Sequence, residues 1–122
     1  MILLVGGEGA GKRTFSQRTL GIDSACMIDA SALAGDTEDA LAIMHVQELV
    51  RVRQPEEAMS WLAAHHPDVV MIDEVGCGVV PIDAGERAWR ERSGRLGCLL
   101  AERADTVVRL VCGLPQMLKG EL

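Results

Sequence analysis

The 122-residue sequence has no tyrosine and only three aromatic residues, Phe15, Trp61 and Trp89. Proteins that bind single-stranded nucleic acid stack bases on aromatic side chains, so this scarcity argues against that class. Basic residues are also few, because 12 Lys and Arg stand against 18 Asp and Glu, for a net charge of −6. Non-specific binding to a phosphate backbone requires a basic surface. We therefore expect no nucleic-acid partner.

Two further absences bear on location. The four cysteines, Cys26, Cys77, Cys98 and Cys112, form no C-x-x-C pair, and we expect them to be reduced, as in the cytosol. No apolar run approaches the roughly 20 residues that a membrane-spanning helix needs. These features predict a cytoplasmic protein without a membrane span. The length of the chain predicts one domain, over residues 1–122.

A dense group of glycines follows directly on an apolar run at residues 2–5. Residues 6–12, GGEGAGK, match the pattern G-x-x-x-x-G-K, and we name this segment the glycine loop. Glycines let successive backbone N–H groups curl around a phosphate, the lysine adds a cation, and a following helix points its N-terminal dipole at the same phosphate. The alternative is a strand-to-helix turn that binds nothing. We expect the loop to bind GTP or ATP, and the predicted nucleotide-binding residues are Gly6, Gly7, Glu8, Gly9, Ala10, Gly11, Lys12, Arg13, Thr14 and Glu74.

Two residues are candidates to hold Mg²⁺. In this pattern the residue after the lysine usually offers a hydroxyl to the metal, but here it is Arg13, and Thr14 lies one place further on. Asp73 ends an apolar stretch, where such enzymes place an acid that holds the ion or a bridging water. Consecutive strand residues point to opposite faces, so only one of Asp73 and Glu74 should face the phosphates, while the other anchors the loop. The alternative is that both are plain turn residues.

The order of predicted elements indicates the fold class. Apolar runs bounded by turn-forming residues predict strands at residues 2–5, 25–29, 68–73 and 106–112. Helical periodicity and capping residues predict helices at 12–20, 38–53, 55–66 and 83–104. This alternation is typical of an α/β protein, P-loop NTPase-like, with a three-layer α/β/α arrangement and a mostly parallel sheet. Ligands of such sheets bind beyond the carboxyl ends of the strands. Asp29, at one such end, either faces the ligand or caps the next turn.

Three blocks carry a family resemblance: GGEGAGK at residues 6–12, EVGCGVVP at 74–81 and CGLPQMLKG at 112–120. With them the sequence resembles the adenosylcobinamide kinase / adenosylcobinamide-phosphate guanylyltransferase family of cobalamin biosynthesis. The resemblance implies two reactions on a corrinoid small molecule, with GTP or ATP and Mg²⁺ as cofactors. A nucleotide first phosphorylates a hydroxyl of adenosylcobinamide, and GTP then donates GMP to that phosphate through a covalent histidine–GMP intermediate. It also implies a homo-oligomer.

Under that resemblance Lys12 and His45 are the candidate catalytic residues, with His45 as the histidine that carries GMP. Neutral imidazole is a suitable nucleophile toward phosphorus at pH 7. The alternative for His45 is a histidine on a half-buried helix face. A competing function is a nucleotide- or cobinamide-binding homologue that has lost one or both reactions. Arg13, where a hydroxyl is usual, favours that homologue, whereas the intact EVGCGVVP block favours the enzyme.

Overall fold

The protein forms a six-stranded sheet. The computed structural model describes residues 1–32, 40–75 and 83–122. The sheet has the order β2-β3-β4-β1-β5-β6, in which all neighbouring strands are parallel except β6, which runs antiparallel to β5. The strands are β1 Ile2–Gly6, β2 Met27–Asp29, β3 Ala42–Met44, β4 Val69–Asp73, β5 Thr106–Val111 and β6 Leu114–Lys119.

Helices cover both faces of this sheet. The α-helices are α1 Lys12–Arg18, α2 Pro55–His65 and α3 Ala84–Arg103, and short 3₁₀ helices cover Ser24–Cys26, Ala30–Ala32 and Val46–Arg51. Phe15 of α1 belongs to the apolar cluster on one face, whereas Leu62 of α2 and Leu96 of α3 belong to the cluster on the other. The prediction of an α/β fold with a mostly parallel sheet, of the P-loop NTPase-like type, is confirmed.

The central strands β1 and β4 explain where the candidate site lies. Both are continuous apolar runs, as parallel strands covered on both faces require, and Leu3 and Leu4 are fully buried on opposite faces. Their register pairs Gly6 with Asp73. The start of the glycine loop and the acid that ends β4 are therefore neighbours at the carboxyl edge of the sheet.

The predicted helix at residues 38–53 is wrong over its described part. Residues 42–44 form β3, and the 3₁₀ helix Val46–Arg51 follows. The apolar residues of this stretch fit a helical spacing, but a strand of three residues is too short to produce a clear alternating pattern. Burial between β2 and β4 decides its conformation instead.

A second correction concerns the end of the sheet. The predicted strand at residues 106–112 is the last one that the sequence indicates, yet a further strand, β6, follows it and contains Pro115. Proline is tolerated there because β6 is an edge strand, whose outer side needs no N–H donor. Asp83 caps α3 as expected, with its carboxylate accepting from the amide of Gly85 at 2.6 Å.

Parts of two predictions lie outside the described residues: the first residues of the 38–53 helix and positions 76–81 of the EVGCGVVP block. Among the helices that are described, none combines the length and apolar character needed to cross a membrane.

Candidate functional site

The glycine loop joins β1 to α1 through conformations that suit glycine. Gly9 and Gly11 have φ values of 76° and 98°, in the left-handed region that residues with a Cβ rarely adopt. Gly6 has a different reason, because a Cβ at this position would lie 2.8 Å from the carbonyl oxygen of Leu110. Helix α1 begins directly at Lys12. The loop thus has the curled backbone and following helix that its sequence predicts.

Lys12 lies across this loop rather than in solvent. Its side chain is 8% exposed, and Nζ donates to the carbonyl oxygens of Gly6 and Gly7, both at 2.8 Å. The same Nζ lies 2.7 Å from Oδ1 of Asp73. A buried ammonium needs such partners, since desolvation without them is costly. The ammonium is therefore held at the mouth of the loop, next to the carboxylate.

Asp73 is fixed through its second oxygen as well. Nε2 of Gln47 donates to Oδ2 at 3.0 Å, and Oε1 of Gln47 accepts from the amide of Asp73 at 3.1 Å. Gln47 is itself 3% exposed. Gln47 is not among the site residues predicted from the sequence. Gln47 is a polar residue within an apolar stretch, which could have indicated a buried hydrogen-bonding role. The predicted helix at 38–53, however, gave no reason to place Gln47 beside β4.

His45 was predicted to lie on the helix at residues 38–53, but this position is wrong. It lies directly after β3, at the carboxyl edge of the sheet. It adopts a left-handed backbone with φ 56° and precedes the 3₁₀ helix. Its Nδ1 lies 3.0 Å from Oδ2 of Asp29, and its Nε2 lies 3.9 Å from Oδ2 of Asp73. Because an ionised carboxylate can only accept, the contact with Asp29 requires a proton on Nδ1, and in the neutral ring that has this proton the lone pair is on Nε2.

Asp29 caps the next turn, which is one of the two roles that the sequence left open, and it also contacts His45. Its Oδ1 accepts from both the amide and the hydroxyl of Ser31, at 2.9 and 2.6 Å, while Oδ2 contacts His45. Partial burial acts to raise the pKa of Asp29, but the hydrogen bonds from Ser31 and the neighbouring His45 outweigh it and lower that pKa below its ordinary value. Asp29 is therefore ionised at neutral pH and suited to orient an imidazole.

These side chains surround a cavity of about 350 Å³ at the end of the glycine loop. The lining residues are Gly9, Ala10, Gly11, Lys12, Arg13, Thr14, Asp29, Met44, His45, Met71 and Asp73. The structure thus brings together most of the predicted site residues. Gly6, Gly7, Glu8 and Glu74 are not among the lining residues.

The side chain of Glu74 lies on the other face of the sheet from Asp73, as strand alternation requires. Its carboxylate forms two contacts with Arg109, at 2.7 and 3.3 Å. Its main chain stays close to the glycine loop, since the amide of Glu74 donates to the carbonyl oxygen of Gly6 at 2.9 Å. Arg109 had not been predicted as part of this region, and nothing in its strand sequence indicated that it would pair with Glu74.

The oxygen donors at the cavity suit a hard cation such as Mg²⁺, which needs only one or two ligands from the protein. Asp73 offers a carboxylate and Thr14 a hydroxyl, the donor types that Mg²⁺ prefers, and this ion usually takes one or two protein carboxylates and fills its remaining positions with water and phosphate. Over residues 1–32, 40–75 and 83–122, no group of three or more His, Cys, Asp or Glu side chains could hold a metal. The residues present fit Mg²⁺ brought with a nucleotide better than a metal bound by protein alone.

Comparisons with known proteins identify the family of the chain. The chain is similar to the bifunctional adenosylcobalamin biosynthesis protein CobP of Pseudomonas aeruginosa, with 40% identity over 53 residues. That match covers 43% of this chain and 31% of the relative, so the chain spans under a third of that protein's length. The sequence model described as cobinamide kinase / cobinamide phosphate guanyltransferase matches residues 22–118, a range that begins after the glycine loop. The chain belongs to the cobinamide kinase / cobinamide phosphate guanyltransferase family.

Proposed function

We propose that residues 1–122 form one nucleotide-binding domain that transfers phosphoryl and guanylyl groups to a corrinoid, adenosylcobinamide and its phosphate. The observation that carries this proposal is the convergence of Lys12, Asp73, His45 and Asp29 on one cavity at the end of the glycine loop. Family membership supplies the class of reaction. The further proposals are GTP or ATP as donor, a cytoplasmic location and a homo-oligomer.

The phosphates of the donor would lie on the glycine loop. The amides of the loop and the start of α1 offer N–H groups and partial positive charge. Lys12 would exchange its contacts with the carbonyl oxygens of Gly6 and Gly7 for the β and γ phosphates, because an ammonium gains more from a charged oxygen than from a neutral carbonyl. The amide of Glu74 would contribute by fixing the carbonyl of Gly6 at the base of the loop.

Asp73 and Thr14 would hold Mg²⁺ at the cavity, where the ion, when bound, neutralises charge on the phosphate oxygens. Asp73 is the better placed of the two, because its carboxylate is held between Lys12 and Gln47 at the end of β4. Thr14 lines the same cavity from the first turn of α1. Arg13, also in the lining, adds a second cation beside the phosphates.

His45 would be the guanylyl acceptor. With its proton on Nδ1 facing Asp29, Nε2 attacks the α-phosphorus of GTP, a nitrogen–phosphorus bond forms, and the bond to the β-phosphate breaks to release pyrophosphate. The carboxylate of Asp29 stabilises the positive charge that develops on the ring. An oxygen of the corrinoid phosphate then attacks the same phosphorus, and the imidazole leaves with its electron pair restored.

Labelling with α-³²P-GTP tests this step. We expect acid-labile, base-stable label on the protein that is lost in His45→Asn. Asparagine suits the left-handed backbone of this position, so loss of label reports loss of the imidazole rather than strain. His66 is also left-handed, with φ 46°, and caps α2 away from the cavity, so His66→Asn is the matched control that keeps its label.

The competing function is a nucleotide- or cobinamide-binding homologue that has lost one or both reactions. Its supporting observation is Arg13 at the position where a hydroxyl is usual. If the wild-type protein binds GTP in calorimetry yet takes up no label and transfers no γ-phosphate to cobinamide, this second function replaces the first. Absence of GTP binding in the presence of Mg²⁺ would overturn the first function and the nucleotide-binding form of the second.

A further inference from the structure

We propose that Gln47 is a positioning residue that holds the Asp73 carboxylate toward Lys12 and the glycine loop. The inference rests on the proposed function for its purpose, since Asp73 is there the residue for Mg²⁺. The contacts that support it form within the protein and do not require a ligand. Gln47 lies outside the lining of the cavity and reaches it only through Asp73.

The side-chain amide of Gln47 takes the place of a missing strand partner. Strand β3 pairs with β4 only as far as Ile43 and Val70, and so does not reach Asp73 at the end of β4. There Oε1 of Gln47 accepts from the Asp73 amide, as a strand carbonyl would, and Nε2 donates to Oδ2. One group must be both acceptor and donor, and among neutral side chains a primary amide offers this pair in a planar arrangement.

The two hydrogen bonds fix the orientation of the carboxylate. With Oδ2 bound to Gln47, Oδ1 is the oxygen that faces Nζ of Lys12 at 2.7 Å. Rotation of the Asp73 side chain would break the bond to Nε2 while the backbone bond stayed in place. Because Asp73 is 11% exposed, little water is available to replace that bond.

Gln47 is itself anchored to the opposite helix layer. Its main-chain oxygen accepts from Nε1 of Trp89 on α3 at 2.9 Å, and the guanidinium of Arg51 lies 3.6 Å from the centre of the Trp89 ring. This anchor belongs to the backbone of Gln47, and substitution of the side chain leaves it intact. The positioning role and the anchoring role can therefore be separated by mutation.

The contact between Gln47 and Asp73 can be tested without nucleotide by exchanging the donor and the acceptor of the hydrogen bond between their side chains. Gln47→Glu places a second carboxylate against Asp73, and we expect a lower urea midpoint. In the double variant Gln47→Glu, Asp73→Asn, the asparagine amide donates to the new carboxylate, so the midpoint should recover above that of Gln47→Glu alone. The control is Gln116→Glu, at an exposed position of β6. Combined with Asp73→Asn, it should give no such recovery of the urea midpoint. Additive losses in the double variant would overturn the proposal.

The second measurement is affinity for Mg²⁺. In Gln47→Leu the backbone anchor and side-chain volume are kept, and we expect the Mg²⁺ affinity of the GTP-bound protein to fall about 10- to 100-fold. Affinity for GTP in EDTA should stay unchanged. A Mg²⁺ affinity equal to that of the wild type would show that Gln47 does not position Asp73 for the ion. If the wild type binds no GTP, the proposed function fails, while the urea series still decides the contact.

Discussion

The consecutive residues Asp73 and Glu74, at the end of β4, point to opposite faces of the sheet and have different surroundings. Asp73 turns to the α1 face, where it is 11% exposed and pairs with Lys12, which is 8% exposed. Glu74 turns to the α3 face, where it is 24% exposed and its partner Arg109 is 43% exposed. Both pairs have contacts of 2.7 Å. Distance alone would therefore rank them as equals.

The difference in burial means that the two pairs should respond differently to the loss of one partner. Removal of one partner from a buried pair leaves an uncompensated charge out of water, whereas solvent screens a half-buried pair such as Glu74 and Arg109, so its loss should cost less. The α1 face also carries His45 and Asp29 beside Asp73, while the cavity of about 360 Å³ on the α3 face is lined mainly by apolar side chains. The comparison predicts that chemistry depends on the first face and that the second face tolerates change.

The largest expected effect is that of Lys12→Met against Arg109→Met. Loss of the ammonium should reduce phosphoryl transfer to cobinamide by about 10²–10³-fold, the cost of removing one charge-stabilising group from a catalytic site. Arg109→Met removes a cation of similar length from the other face and should have a much smaller effect. Rates from γ-³²P-ATP, with circular dichroism to confirm folding, provide the measurement. Equal losses in the two variants would break the comparison.

A smaller effect is expected on stability from Gly6→Ala against Gly7→Ala. The new Cβ at Gly6 would lie 2.8 Å from the Leu110 carbonyl oxygen, whereas at Gly7 nothing lies within 4 Å. We expect the free energy of unfolding to fall by about 1–3 kcal/mol for Gly6→Ala and to change by at most about 0.5 kcal/mol for Gly7→Ala. Urea denaturation measures both, and a similar loss in Gly7→Ala would contradict the geometry.

The smallest expected effect is the pH dependence of the contribution that Asp29, on the α1 face, makes to stability. The native pKa of Asp29 is lowered, so its contribution to stability is complete above its ordinary value of 3.8 and is lost as the pH falls through the lower native value. The stability difference between wild type and Asp29→Asn should therefore shrink as the pH falls through that region, where Asp29 becomes protonated in the wild type. We expect a difference of at most about 1 kcal/mol. A difference that persisted unchanged into strong acid would exclude this assignment.

Much of the fold could be predicted because its strongest signals are local. The glycine loop, the apolar stretch that forms β4 and the capped helix α3 each depend on neighbouring residues, and the structure confirms their positions. Strand β6 could not be predicted in this way. It is exposed along its whole length and contains Pro115, so neither an alternating pattern nor strand propensity marks it. Its pairing with β5 decides its conformation.

The site was predicted in composition but not in arrangement. Lys12 and Asp73 follow from the pattern of the loop and from the sheet topology, since parallel strands bring their carboxyl ends to one edge. His45 was assigned to a helix, and the contact with Asp29 joins residues 16 positions apart. Gln47 lies 26 positions from Asp73. Contacts of this kind depend on the register of β3 against its neighbours, which no local pattern specifies.

The support of the glycine loop has a consequence for folding of the chain. The carbonyl oxygen of Ala10 accepts from the amide of Gly113 at 2.8 Å, and a Cβ on Gly11 would lie 3.1 Å from the Cα of Gly113. The loop is thus held in part by the bend between β5 and β6, which lies far from it in sequence. Contacts of such high sequence separation are slow to form, because the entropy of loop closure opposes them. A chain in which β5 and β6 have not yet paired therefore lacks one of the contacts that hold the loop.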